Sequence, residues 1–560
     1  MPHIPYRGDA YRDFPWIEGW CQSLAKERPD MVSLSTYGKS RHDLPLLLLT
    51  LSLGDGAPED RPAFWLDGGT HASEWAGVMA TLYAVSRWVE SVDEGDAEAL
   101  AFFKRHTIYV VPCISPDGFQ HMADGGAFVR STLRGPQEGR RRRGLEPRDM
   151  DGNGEILWMR WRHPAGTWVS DSELPSLLRR RRLGDDPEDA YFACPEGVLL
   201  DHDGVSWQMA PAKHALDLNR NFPVAWSPFR QFGQDSGVLP LSEPESRAVA
   251  EAVVARPNIC AVLTNHTYTG AILVGPYRED SPVNIWDREV MWQLASEAVD
   301  GTGYSVFRVC PDFMYVKGVS IPGVWADFLT TNRGIPAYTL EIWDPYGHAG
   351  VRIENPARNF FRPDEAAIRK TVKAFVDADP STAAPWTEFE HPQLGSVEIG
   401  GFRQRFTVRN PPVAELASEC HKAFNAADKV RRSLPKPWMH AEVHVEGDVK
   451  TVEVTVENRG YLNTACLQRA VDAGIVPAPH VSLELPAGST LVGCEALRSL
   501  PQLGGWGDSA ASFRRHPLFN VLPQTSPRVK LTWVVRGSGK AKVTYSHPRS
   551  GSFDLAISIP

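Results

Sequence analysis

Two histidines and two glutamates of this 560-residue chain have the types and surroundings that metal-assisted hydrolysis uses. In "LDGGTHASEWAG", His71 and Glu74 stand three apart, just past the apolar run "AFWL". His266, in "AVLTNHTYTG", also follows an apolar run. A catalytic zinc takes three N or O ligands and keeps one position open for water. Hydrolysis at such a site also needs a base, and Glu341 in "YTLEIW" is a carboxylate inside an otherwise apolar strand pattern. Such a group is costly unless it is paired or functional. The string "ALDLNRNFP" adds an amide and a planar guanidinium at Asn219 and Arg220, a donor pair suited to a free carboxylate. Asp217 beside them can accept from a ligating imidazole and fix its tautomer. Each residue alone has a plainer reading: a loop or core histidine, a salt-bridged strand glutamate, a capped turn.

These side chains need a scaffold that brings distant loops together. Apolar runs at 44–52, 63–68, 107–114, 259–265 and 335–343 read as strands, and amphipathic stretches at 74–92 and 243–255 read as helices. Continuous apolar strands alternating with helices predict an α/β fold with a mixed, largely parallel sheet covered on both faces. In such sheets, sites form beyond the carboxyl ends of strands, where His71 and His266 fall. Residues 124–215 are rich in Gly, Pro, Arg and Asp and read as a loop-rich insertion. After about residue 385 the pattern changes to period-2 alternation, as in "AEVHVEGDVKTVEVTVENRG", with one helix at 413–430 before it. The expected organisation is therefore a catalytic domain over 1–385 and a C-terminal all-β sandwich with a leading helix over 386–560.

"HASE", "LDLNRNFP", "SEPESRA", "NHTY" and "TLEI" occur in the order found in zinc carboxypeptidases of the A/B type, and the sequence resembles that family from about residue 10 to about 380. The resemblance implies one zinc ion per chain, held by His71, Glu74 and His266, with Glu341 as the base that activates the attacking water. It implies that Asn219 and Arg220 hold the substrate's C-terminal carboxylate and that Arg130 stabilises the oxyanion. Tyr315 is the candidate for a mobile tyrosine over bound substrate, although its spacing to the downstream aspartate fits poorly. Ala326 and Asp327 fall where the family floors its side-chain pocket, with Asp327 either selecting a basic residue or serving structure. The implied activity is a metallopeptidase that removes the C-terminal residue of a peptide. A zinc deacylase acting on N-acyl amino acids or cell-wall-type peptides would use the same residues. A non-catalytic module that binds peptide termini is a third reading, disfavoured because every ligand and the base are retained.

The bulk composition narrows the partners. A formal charge of −9 gives no nucleic-acid footprint. The arginine runs at 140–143 and 179–182 lie in a segment with nearly equal numbers of acidic and basic residues, so pairing or solvation is expected of them. No apolar run is long enough to span a membrane and no signal pattern opens the chain, so a cytoplasmic protein is expected, with eight scattered, reduced cysteines. "RDMDGNGEI" places Asp149, Asp151 and Asn153 at calcium-loop spacing, but Arg160 stands where the loop's last glutamate belongs; an Asx-turn loop is the preferred reading.

Overall fold

A computed structural model describes residues 5–135, 142–228, 234–316, 318–510 and 525–560. Eight strands form the main sheet: β1 (Val32–Lys39), β2 (Pro45–Leu51), β3 (Ala63–Gly68), β4 (Thr107–Val111), β5 (Ile259–Thr267), β6 (Ala271–Val274), β7 (Ser305–Arg308) and β8 (Ala337–Ile342). Their spatial order is β1-β2-β4-β3-β5-β8-β6-β7. The central strands β4, β3, β5 and β8 run parallel, whereas β1, β2 and β4 pair antiparallel, as do β8 and β6.

The central strands are buried on both faces because alternate side chains meet different layers. Phe64, Leu66, Ile108, Val110, Leu263, Tyr338 and Leu340 join a core with the helices Phe14–Glu27, Trp75–Asp93, Ile285–Val299 and Val413–Arg432. Trp65, Tyr109, Val262 and Ala337 join a second core with the helix Pro244–Val254 and the Trp325–Phe328 turn. Each such Leu, Val or Phe contributes about 1.5–3 kcal/mol relative to its exposed state.

The insertion is more ordered than its composition suggests. It carries short strands that pair with one another and, through Trp158–Arg162, with a segment far along the chain: an antiparallel sheet ordered Ala383–His391, Gly395–Phe402, Trp158–Arg162, Ala190–Pro195, Trp168–Ser170, Leu178–Arg180. Met159 faces Ile399 in register, so the apolar partner of this segment lies 240 positions downstream. Strands this short give no readable alternation, which is why the segment reads as loop. Residues 383–402 thus complete the insertion's sheet, and the helix Val413–Arg432 packs on Trp75–Asp93 and Ile285–Val299 of the main layer. Both were expected on the C-terminal side of the boundary.

Beyond residue 436, two antiparallel four-stranded sheets face each other. Val452, Val454, Trp533 and Val535 of one pack on Val481, Leu483, Val543 and Tyr545 of the other, which makes a sandwich. The sandwich is tied to the main sheet by buried polar contacts. Arg549 donates from Nη1 to the Gly334 carbonyl at 2.7 Å and the Ala465 carbonyl at 2.5 Å, and from Nη2 to the Arg333 carbonyl. Asp287 accepts from the Gln468 and Arg469 backbone at 2.9 and 2.8 Å. All eight cysteines are free, seven of them buried. Among the described residues no helix is long and apolar enough to cross a membrane. Because Arg549→Met leaves buried carbonyls without a donor, it lowers stability by about 3 kcal/mol or more, read by chemical denaturation.

Candidate metal centre and active site

The loop after β3 is fixed before any ligand is considered. Ala72 N donates to the Arg130 carbonyl at 2.8 Å, and Ser115 Oγ donates to the Gly69 carbonyl at 2.6 Å. Glu74 stands at the N-terminal boundary of the helix Trp75–Asp93. Asn410, from the segment after the insertion's sheet, clamps that turn: its Oδ1 accepts from Ala76 N and its Nδ2 donates to the Ser73 carbonyl, both at 3.0 Å. A Cβ at Gly77 would lie 2.7 Å from the Asn265 carbonyl, so glycine is what allows this helix to cross β5 so closely.

His71, Glu74 and His266 converge in the interior, each at most 3% exposed. The two Nδ1 atoms lie 3.0 Å apart. Glu74 Oε1 is 2.9 Å from His71 Nδ1, and Oε2 is 2.9 Å from His266 Nδ1. His71 Nε2 donates to Asp217 Oδ1 at 3.0 Å, which fixes the tautomer with its lone pair on Nδ1. Two imidazole lone pairs and a carboxylate facing one point form an acceptor-only set, which a cation completes. The donor set fits zinc with a fourth position open.

Arg130 is bound into the same cluster, donating from Nη1 to Glu74 Oε1 at 2.8 Å and from Nε to Asp217 Oδ2 at 3.3 Å. Burial alone would lower its pKa; Asp217 and Glu74 more than reverse this, so the guanidinium stays charged. Burial likewise opposes ionisation of Glu74 and Asp217, and His71 with the neighbouring arginines holds both well below the usual carboxylate range. Glu341 behaves differently. It sits on β8 in register with His266 on β5 and therefore on the same face of the sheet. Burial raises its pKa to about 7, with His266 and Arg130 pulling down and Glu74 pushing up.

Asn219 and Arg220 lie in a short turn started by Asp217, which accepts from Asn219 N at 2.8 Å. Asn219 Oδ1 accepts from Trp325 N at 2.8 Å, leaving its Nδ2 group as the donor. Gly323, at φ +65°, lets the opposite chain approach this turn: a Cβ there would be 2.1 Å from the Arg220 carbonyl. Tyr315 packs edge-on to Phe361, and its hydroxyl acts electrostatically on Arg130, so it stands beside the cluster. Asp327 is buried and accepts from Thr331 Oγ1 at 2.7 Å, with burial raising its pKa to about 6.

Several residues at the site carry no motif. Asp67 and Thr264 are neighbours in register on β3 and β5, one pleat below His266. Asp67 Oδ2 accepts from the indoles of Trp65 and Trp325 at 2.9 and 3.0 Å, tying the end of β3 to the turn whose Trp325 N meets Asn219. Thr267 N donates to Glu74 Oε2 at 3.1 Å. Asn410 and Arg409 come from "FTVRNPP", where only the density of arginines among apolar residues stands out. Away from the site, Asp149 accepts from Gly152 N and Gly154 N, and the Asn153 amide turns back on Asp151, an Asx-turn arrangement near the buried Glu196. Among the described arginines of the two runs, Arg142, Arg143 and Arg179 pair with Glu146, Asp203 and Asp185.

The zinc carboxypeptidase family model matches residues 17–189 and 190–378, and the chain belongs to that family. A domain of unknown function matches 439–558, the sandwich. Carboxypeptidase B of Astacus astacus is 33% identical over 123 residues, 22% of this chain and 38% of its own length. Mast cell carboxypeptidase A of Mus musculus is 28% identical over 296 residues, 52% of this chain and 53% of its own length. The chain thus spans from over a third to about half of these curated relatives. A crystal structure of carboxypeptidase A from Helicoverpa armigera aligns with a TM-score of 0.40 and 19% identity, covering 67% of this chain and 75% of that one. Membership of the family implies a zinc ion, and His71, Glu74 and His266 form the cluster that fits it.

Asp217→Asn keeps the size of the side chain but weakens its grip on His71, so zinc affinity falls about 10–100-fold, measured by competition with a chromogenic chelator.

Proposed function

We propose that the chain is a zinc-dependent metallocarboxypeptidase that hydrolyses the C-terminal peptide bond of a peptide, with one zinc ion per chain. The observation that carries this reading is the meeting of both imidazole Nδ1 atoms and Glu74, with Glu341 in register beside His266. Zinc, when bound, supplies Lewis acidity that polarises the scissile carbonyl and acidifies water. Arg220 and the Asn219 amide hold the terminal carboxylate, which only a free C-terminus provides. Glu341, with a pKa near neutrality, takes the proton of the attacking water as the carbon–oxygen bond forms. It then gives that proton to the leaving amine nitrogen as the carbon–nitrogen bond breaks. Arg130 donates to the oxygen on which negative charge develops, and its anchors on Glu74 and Asp217 keep the guanidinium in place. Tyr315 covers the bound terminus from the side of Arg130.

Glu341→Gln lowers kcat by about 10²–10⁴-fold while metal analysis still finds zinc. An unchanged kcat would remove Glu341 from the reaction. Amidating the substrate's C-terminus, or Arg220→Ala, lowers kcat/KM by about 10–100-fold, the range of a charged hydrogen bond. Faster release of acyl groups from N-acyl amino acids than of terminal residues from peptides would replace this reading with a deacylase.

A further inference from the structure

A cavity of about 300 Å³ is lined in part by Tyr268, two residues beyond His266 on the chain. Its walls come from three parts of the molecule: Trp158 and Leu177 of the insertion, Ile368 of the helix Glu365–Ala378, and Trp386 and Val408 of the chain that follows. Tyr268 and Tyr346 are shared with a larger open cleft of about 630 Å³. The aromatic and aliphatic lining suits an apolar side chain. Trp386 is held in place by its indole donating to the Pro175 carbonyl at 2.8 Å and by Arg160 4.1 Å above its ring.

Arg409 directly follows Val408, which lines the cavity. Its neighbours in the electrostatics of the site are Tyr268, Arg130 and Glu74. Its guanidinium lies 5.1 Å from the Phe128 ring centre, and among the described residues no carboxylate forms an ion pair with it. The position is set by Asn410, whose bonds to Ala76 N and the Ser73 carbonyl pin the segment to the metal loop. Arg220 has other neighbours, Asp217 and Tyr277. Tyr268, which lines the cavity, has Arg409, Tyr346 and Glu341 as its electrostatic neighbours, so the cavity adjoins the strand end that carries Glu341.

We propose that this insertion-built cavity is a subsite for a large apolar side chain on the amino-terminal side of the scissile bond, with Arg409 donating to a peptide carbonyl at its mouth. The proposal rests on the carboxypeptidase reading and assigns it a substrate class: peptides with an aromatic or large aliphatic residue upstream of the one removed. It also gives the insertion and residues 383–409 a role in choosing substrate.

The test uses the full-length, zinc-loaded protein and N-acetylated peptides with one fixed terminal residue and Trp or Gly placed in turn at the second, third and fourth positions from the C-terminus. At one of these positions Trp raises kcat/KM over Gly by at least about tenfold, the discrimination that an apolar pocket gives. Val408→Trp, which fills the cavity, and Trp386→Ala, which removes a wall, each bring that ratio below about threefold. Taking the ratio within one preparation cancels any loss of folded protein. Arg409→Gln raises KM for the longer peptides without abolishing the Trp preference. Equal cleavage of Trp and Gly peptides at all three positions, or a ratio unchanged in both cavity variants, overturns the subsite and leaves the carboxypeptidase reading standing. If no peptide is cleaved, calorimetric binding of the same peptides decides the subsite separately: Trp peptides binding no tighter than Gly peptides overturn it.

Discussion

The structure is organised around an electrostatic difficulty. Glu74, Asp217 and two imidazoles with inward-facing lone pairs meet within a few ångströms in the interior, where unscreened acceptors repel and desolvation disfavours charge. Arg130 offsets part of this by touching both carboxylates, and a divalent cation offsets the rest. The sheet accepts the arrangement because the residues sit at strand ends, where side chains leave the close-packed core and the loops supply backbone donors such as Thr267 N. Glu341 stands on the neighbouring strand, and among the described residues no arginine forms a direct ion pair with it. That difference leaves one carboxylate near neutrality beside others that are firmly ionised.

Holding that cluster draws in chain well beyond the family-matched region. Asn410 closes the first turn of the helix that carries Glu74, and the helix Val413–Arg432 packs along the same helix. Trp343, just after β8, donates to the Thr407 carbonyl at 2.7 Å, which ties the strand carrying Glu341 to the same segment. The insertion and the chain at 383–402 form one sheet beside this region. His71, Glu74 and His266 thus lie within the family-matched residues, and part of their support comes from chain beyond residue 378.

The central sheet was legible in the sequence because its strands are continuous apolar runs, and 63–68 was read with the boundaries the structure shows. His71, Glu74, His266 and Glu341 were legible because each interrupts or directly follows such a run, and the ordered motifs joined them. The insertion's strands were not legible, since they are three to six residues long, and the one that joins them to the rest, Trp158–Arg162, finds its outer partner more than 200 positions away. Arg409 and Asn410 were hidden for a related reason. Their position depends on where the chain returns after the insertion's sheet, and no local periodicity encodes that return. Asp67 looked like the end of an apolar strand, and only the indoles of Trp65 and Trp325 reveal its place.

The clamp by Asn410 bears on how this protein can be divided. A fragment ending at residue 378, where the family match stops, would contain His71, Glu74, His266 and Glu341. It would lack the side chain that satisfies Ala76 N and the Ser73 carbonyl, and it would expose the apolar face on which Val413–Arg432 rests. The smallest autonomous unit therefore reaches at least residue 432, and because Tyr461, Leu462 and Leu467 join the same core and Arg549 holds the Arg333 and Gly334 carbonyls, a cut at the entrance to the sandwich is costly as well.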